Sequence, residues 1–124
     1  MDGPDKKRLL EELDRYCEQL GVLPEEKPIL VFDLHVIHWL REQLGYARRE
    51  DMWGCCLIQF RTIFVNVSNL SDRGYGYDFL KYALVHELVH YKFRLVHGRG
   101  FDNKVKQVLA GRRYPLEHIP LLPE

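Results

Sequence analysis

The sequence predicts a single α+β domain. Three observations support this class: the order of the predicted elements, the Gly and Pro residues between them, and the composition. Helical and strand patterns follow one another in the order helix, strand, helix, hairpin, helix, helix, which is typical of α+β proteins. Gly and Pro residues separate these stretches. Of the 124 residues, 46% are hydrophobic and 29% are charged, so the chain can bury a core without disulfides.

Two helices and a short strand are predicted in the N-terminal part of the chain. Apolar residues recur at helical spacing from Pro4 to Leu20, and Gly21 is a natural end for this helix. The run PILVF, residues 28–32, has the composition of a brief strand. Asp33 is placed to cap a second helix that runs from Leu34 to Leu44.

A β-hairpin is predicted in the middle of the chain. The runs GCCLIQ (54–59) and TIFVNV (62–67) are apolar and rich in β-branched residues, and a short break joins them. The polar, Gly-rich stretch 68–78 that follows is predicted to be a loop.

Two further helices and an extended tail are predicted after this loop. A long apolar helix covers about Asp78 to Val96, and a shorter one covers Phe101 to Ala110. The tail, residues 112–124, contains three prolines and is expected to be extended. The whole chain, 1–124, is predicted to be one domain whose active core spans about 53–110.

The cysteine content and the charged N-terminus indicate a cytoplasmic protein, and the net charge argues for no particular partner. Lys and Arg (18) balance Asp and Glu (18), although basic residues concentrate in the segment 92–113. The three cysteines form no CxxC pair, which argues for a reducing compartment. Neither a signal peptide nor a membrane-spanning run is visible, so no membrane association is expected.

The segment VHELVH predicts a metal site. His86 and His90 are four residues apart, which on a helix places their Cβ atoms about 5–6 Å from each other on one side. Both imidazoles can then reach one Zn²⁺ ion. Glu87 projects away from that side by about 100°, where it can act as a base on water. Burying these groups without partners costs several kcal/mol, which a metal removes.

His97 is the predicted third ligand of this Zn²⁺ ion. A continuous helix would carry His97 about 10 Å beyond His90, which is too far for a shared ion. The helix is therefore expected to end or distort before His97, and the nearby Gly98 and Gly100 allow a turn. The alternative third ligands are Asp102, Glu117 and His118.

With these residues in place, the chain resembles the SprT-like and YgjP-like HExxH zinc metallopeptidases. The resemblance rests on the stretches WGCC, TIFVNVSNL and VHELVHYKFRLVHGRGF, which occur in the family order over about half of the chain. Lys92 departs from the family pattern, which usually has an apolar residue at this position.

The resemblance implies a zincin-like fold, with a small, mainly antiparallel sheet packed on the long helix that carries HExxH. It implies zinc held by His86, His90 and His97, Glu87 as general base, and a polypeptide substrate. The strand Thr62–Val67 would be an edge strand that pairs with the substrate. Its substrate-binding residues would be Phe64, Val65 and Asn66.

Two alternative functions remain open. A peptide-deformylase-like hydrolase also uses HExxH but takes a cysteine as third ligand, for which Cys55 or Cys56 is available. A DNA-associated SprT-like protease, or a nucleic-acid-binding module, would use the basic segment 92–113. The proline-rich tail 112–124 is a further candidate to lie across the site.

Overall fold

The computed structural model describes residues 3–119, and the elements in this range confirm the α+β class. Its five helices are α1 (Gly3–Gln19), α2 (Leu34–Gln43), α3 (Val67–Asp72), α4 (Tyr77–Phe93) and α5 (Arg99–Leu109). Its three strands are β1 (Ile29–Val31), β2 (Gly54–Leu57) and β3 (Thr62–Val65).

The sheet is small, as predicted, and it is mixed, so the antiparallel pairing is confined to the hairpin. The strand order is β1-β3-β2. β2 and β3 form the predicted antiparallel hairpin, whereas β1 and β3 are parallel. The parallel pairing follows from the connection between β1 and the hairpin, which passes over the sheet through α2.

β3 is the central strand, so the prediction that Thr62–Val67 is a substrate-pairing edge strand is wrong. Phe64 pairs with both Val31 and Cys55, and Val65 pairs with Gly54. Phe64 and Val65 are fully buried. Asn66 caps the next helix instead of facing a substrate, because its side chain accepts a hydrogen bond from the Asn69 N–H. β2 is the edge strand on the hairpin side.

The sheet separates two hydrophobic clusters. α4 is apolar almost all round because α1, α5 and the hairpin strands cover it. On one face α1, α4 and α5 pack together and against β3 through Ile63 and Val65. On the other face Ile37 of α2 packs against Phe64. Among residues 3–119, no helix combines the length and apolar character that crossing a bilayer requires.

The main difference from the predicted elements is α3, which lies in the segment predicted to be a loop. The segment SNLSDRG has few apolar residues, so its periodicity is weak. Asn66 supplies the signal that identifies the helix, because an asparagine at this position caps the first turn. Val67 and Leu70 then anchor the helix in the core.

The described part of the tail lies behind α4, away from the three histidines of the predicted site. Tyr114 donates its N–H to Gln19 O, and Glu117 forms a parallel bridge with Val22. Lys92 is buried and donates to Gly21 O at 3.0 Å and to Glu117 O at 3.2 Å. This explains why α4 carries a lysine at a position where an apolar residue was expected. Residues 120–124 lie outside the described range.

Candidate metal centre

Two imidazoles of the candidate site come from successive turns of α4. The ring centroids of His86 and His90 are 5.0 Å apart. Aromatic side chains pack around them: the Phe101 ring stacks on His90 at 4.2 Å, and Trp53 contacts His86 edge-on at 5.0 Å. The spacing of HExxH thus places both rings on one side of the helix, as predicted.

His97 joins them because α4 ends earlier than its apolar pattern predicts. The helix stops at Phe93, and Arg94 adopts the left-handed conformation with φ 58°. The chain then reverses and enters α5 at Arg99. The prediction that the helix ends before His97 is confirmed, with Arg94 rather than a glycine at the turn.

The three histidines converge on one point. His97 Nε2 lies 3.1 Å from His86 Nε2 and 3.0 Å from His90 Nε2, and one ligand atom from each residue lies within 4.8 Å of the others. Tetrahedral zinc with bonds of about 2.0–2.1 Å places its nitrogen ligands about 3.3 Å apart. A hydrogen bond from His97 Nε2–H could account for only one of these two short distances. A cation shared by the three Nε2 atoms accounts for both.

The cluster contains none of the alternative ligands. Among residues 3–119, His86, His90 and His97 are the only group placed to share a metal ion. Glu117 is held behind α4, and His118 lies 3.4 Å from the Glu26 carboxylate. Asp102 is exposed on α5 and lies near enough to His86 to influence its pKa.

The orientation of His90 suits a metal ligand. Its Nδ1–H donates to Leu95 O at 2.8 Å, which leaves Nε2 as the nitrogen with a free lone pair. His86 Nδ1 is buried and has no hydrogen-bond partner in the described part of the chain. Packing against Trp53 and Phe101 therefore fixes the His86 ring, whereas a hydrogen bond fixes His90.

Burial favours the neutral imidazoles of His86 and His90, which is the state that binds metals. Burial, together with the neighbouring His90 and His97, lowers the pKa of His86 to about 4. Burial also lowers the pKa of His90, partly offset by its hydrogen bond to Leu95 O.

Glu87 lies in the same cleft as these rings and is deeply buried, with 4% of its surface exposed. Burial raises its pKa to about 8, because a charged carboxylate is disfavoured away from water. Its side chain rests against β2, where a Cβ at Gly54 would lie 2.7 Å from Glu87 Oε2. The carboxylate is therefore positioned by the close approach of α4 and β2.

A cleft of about 810 Å³ opens above these groups. Its walls include β2, the segment 94–97 and three arginines, Arg49, Arg73 and Arg94. None of the tyrosines in the described chain lines it.

The two vicinal cysteines face opposite sides of the sheet, as β-strand geometry requires. Cys55 packs with the α2 cluster, whereas Cys56 packs on the α4 side near Glu87. Burial raises the pKa of both thiols. Since neither sulfur belongs to the converging cluster, the deformylase-like alternative lacks the ligand that it requires.

Gly54 and Arg94 are among the cleft residues that were not predicted as site residues from the sequence. Gly54 could have been found, because a glycine inside a predicted strand often marks a close backbone approach. Arg94 gave no signal, since it lies within the apolar pattern that predicts helix up to Val96.

We expect Gly54→Ala to destabilise the protein by about 1–3 kcal/mol, because the added Cβ overpacks the contact between β2 and the Glu87 carboxylate. Urea unfolding of the metal-free protein measures this change. Gly100→Ala is the matched control, since a Cβ at Gly100 meets nothing within 4 Å. Equal unfolding midpoints for the two variants would contradict the packing of Glu87 against β2.

No protein-family model, curated protein or solved structure matches the chain. The resemblance to SprT-like and YgjP-like proteins therefore stays a prediction that depends on the motif residues. The geometry alone defines the site: three imidazoles and one carboxylate share a cleft beside the edge strand β2.

Proposed function

We propose that the protein is a zinc-dependent metallopeptidase. The observation that supports this most directly is the convergence of His86, His90 and His97 in one cleft with the buried carboxylate of Glu87. Three imidazoles are a ligand set of catalytic zinc sites, which keep a further position open. The resemblance to SprT-like peptidases agrees with the same assignment.

In this proposal zinc held by the three imidazoles supplies Lewis acidity to a peptide carbonyl and to water. Glu87 is the general base. Its carboxylate accepts a proton from the attacking water and then donates that proton to the nitrogen of the leaving amine. Burial of this carboxyl group raises its proton affinity.

β2, rather than β3, is the strand that would bind an extended peptide. It is an edge strand, and Gly54, Cys55 and Cys56 line the cleft. Main-chain pairing with such an edge holds a substrate independently of its side chains. The peptide would then pass over Glu87, whose carboxylate lies against Gly54.

Association with DNA through the segment 92–113 stays a prediction. Its basic residues do not share one face: Lys92 is buried behind α4, and Arg94 lines the cleft. Lys104 lies over the rings of Phe93 and Tyr114. Salt-dependent binding to duplex DNA is the measurement that would support it.

Metal-dependent proteolysis tests the proposed function. The purified protein, reconstituted with one equivalent of Zn²⁺, should cleave casein, and a chelator should stop cleavage until Zn²⁺ is restored. Elemental analysis should find one zinc ion per chain. A protein that binds no zinc, or binds zinc and cleaves neither casein nor a mixed peptide library, would contradict the proposal.

A further inference from the structure

The ring of Phe101 contacts all three imidazoles of the candidate metal centre. It stacks on His90 at 4.2 Å between ring centroids, with 27° between the two planes. It meets His86 at 4.7 Å and His97 at 5.3 Å, in both cases nearly perpendicular, at 73° and 86°. Among residues 3–119, no other ring outside the cluster contacts more than one of these histidines; Trp53, for example, contacts His86. Phe101 is therefore the common neighbour of the three predicted ligands.

Phe101 is held by the packing of α5 in the core of the fold. It lies in the first turn of α5, and 1% of its surface is exposed. Val105 and Val108 follow it at helical spacing and are also buried. One face of α5 thus packs in the same hydrophobic cluster as α4, and this packing fixes the position of the Phe101 ring.

His97 has the most to gain from this contact, because the chain around it is exposed. Residues 96–100 are all exposed and lead from the turn after α4 into α5. His90, by contrast, donates to Leu95 O at 2.8 Å. Ordering an exposed side chain costs conformational entropy, and a contact that already orders it reduces the cost of binding a ligand. The buried ring of Phe101 supplies such a contact to His97.

We propose that Phe101 is a positioning residue of the metal centre, whose ring sets the planes of the three imidazoles so that their Nε2 atoms face one ion. This inference rests on the zinc binding that is part of the proposed function. A planar ring can stack on one neighbour and meet two others edge to face, which are the arrangements that aromatic pairs prefer. An aliphatic side chain can fill much of the same space but imposes neither orientation.

Phe101→Leu tests the inference, because it keeps an apolar side chain in the core and removes the planar ring. Zinc affinity, measured by competition with a chromogenic chelator, should fall by about 10–100-fold, the range for partners that orient metal ligands. Phe101→Met, which fills more of the space, is a second aliphatic variant and should show a loss in the same range. Phe101→Tyr, which keeps a ring, should restore most of the affinity.

Val105→Ala is the matched control, since it truncates a buried side chain one turn further along the same face of α5. It should destabilise the fold and leave zinc affinity unchanged. Urea unfolding of the metal-free variants measures the loss of stability of each. Affinities are then compared at a temperature at which every variant is folded.

Bound cobalt reports the ligand geometry, which a purely structural role of Phe101 would not change. The visible absorption of Co²⁺ depends on the number and arrangement of its ligands. With saturating Co²⁺, the aliphatic variants of Phe101 should alter this spectrum. Phe101→Tyr and Val105→Ala should reproduce the wild-type spectrum.

Wild-type zinc affinity together with an unchanged Co²⁺ spectrum in Phe101→Leu and Phe101→Met would overturn the inference. Equal losses of affinity in Phe101→Leu and Val105→Ala would also overturn it, since the packing of α5 and not the ring would then be responsible. The peptidase proposal is decided separately. If the wild-type protein binds zinc and cleaves no peptide, the proposed function fails, and the affinities of the variants still decide the role of Phe101. A wild-type protein that binds no metal would refute both.

Discussion

Glu87→Gln is expected to lower peptide hydrolysis by about 10²–10⁴-fold, the range that a positioned general base contributes. The variant keeps the volume that packs against Gly54, and it leaves all three imidazoles in place. Zinc content should therefore be unchanged. The two measurements are initial rates on casein or a fluorogenic peptide, and zinc per chain by elemental analysis.

The control for this variant is Glu11→Gln, which makes the same chemical change at an exposed position of α1. It should match the wild-type protein in both rate and zinc content. A Glu87→Gln protein that retained zinc and cleaved at the wild-type rate would remove Glu87 from the mechanism. Retention of fold is checked independently by the thermal unfolding of each variant.

His97→Ala is expected to weaken zinc binding by more than roughly 100-fold, since the loss even of an outer partner of a ligand costs about 10–100-fold. The reason is geometric. His97 Nε2 lies 3.0–3.1 Å from the other two ligand nitrogens, and the described chain places no other donor in the cluster. Competition with a chromogenic zinc chelator measures the change in affinity.

Two histidine variants serve as controls for His97. His35→Ala removes an exposed imidazole from α2, and His118→Ala removes one that lies beside Glu26. Neither should alter zinc affinity. Loss of zinc in His118→Ala, with retention in His97→Ala, would mean that the third ligand comes from the tail and not from the turn after α4.

The sequence predicts most helices well because their signals are local. Apolar spacing identifies α1, α2 and α4, and Asp33 caps α2 as expected, accepting a hydrogen bond from the His35 N–H. Topology is harder to predict, because the sequence of a three-residue strand such as β1 does not determine which other strand it pairs with. The parallel pairing of β1 moves β3 to the centre of the sheet and transfers the exposed edge to β2.

The candidate site likewise has a part that local sequence signals predict and a part that depends on the folded topology. HExxH fixes His86, Glu87 and His90 on adjacent turns, and the need for a third ligand within reach leads to His97. The support around them depends on contacts between elements distant in sequence. The approach of Gly54 to Glu87 is one such contact, and the position of Arg94 in the cleft is another. The sequence gives no signal for the position of Arg94, and it marks Gly54 only as a glycine inside a predicted strand, without identifying its partner.

The contacts that residues 112–117 make with Gln19 and Lys92 affect the order in which the fold assembles during synthesis. Gln19 donates to Arg112 O across 93 positions of sequence, and Lys92 joins Gly21 to Glu117. Both contacts require residues from 112 onwards, so they form only after the segment 112–117 has been synthesised. Until then, the Lys92 ammonium of α4 lacks the acceptor that Glu117 O supplies, and we expect the final packing of the helix to follow the docking of this segment.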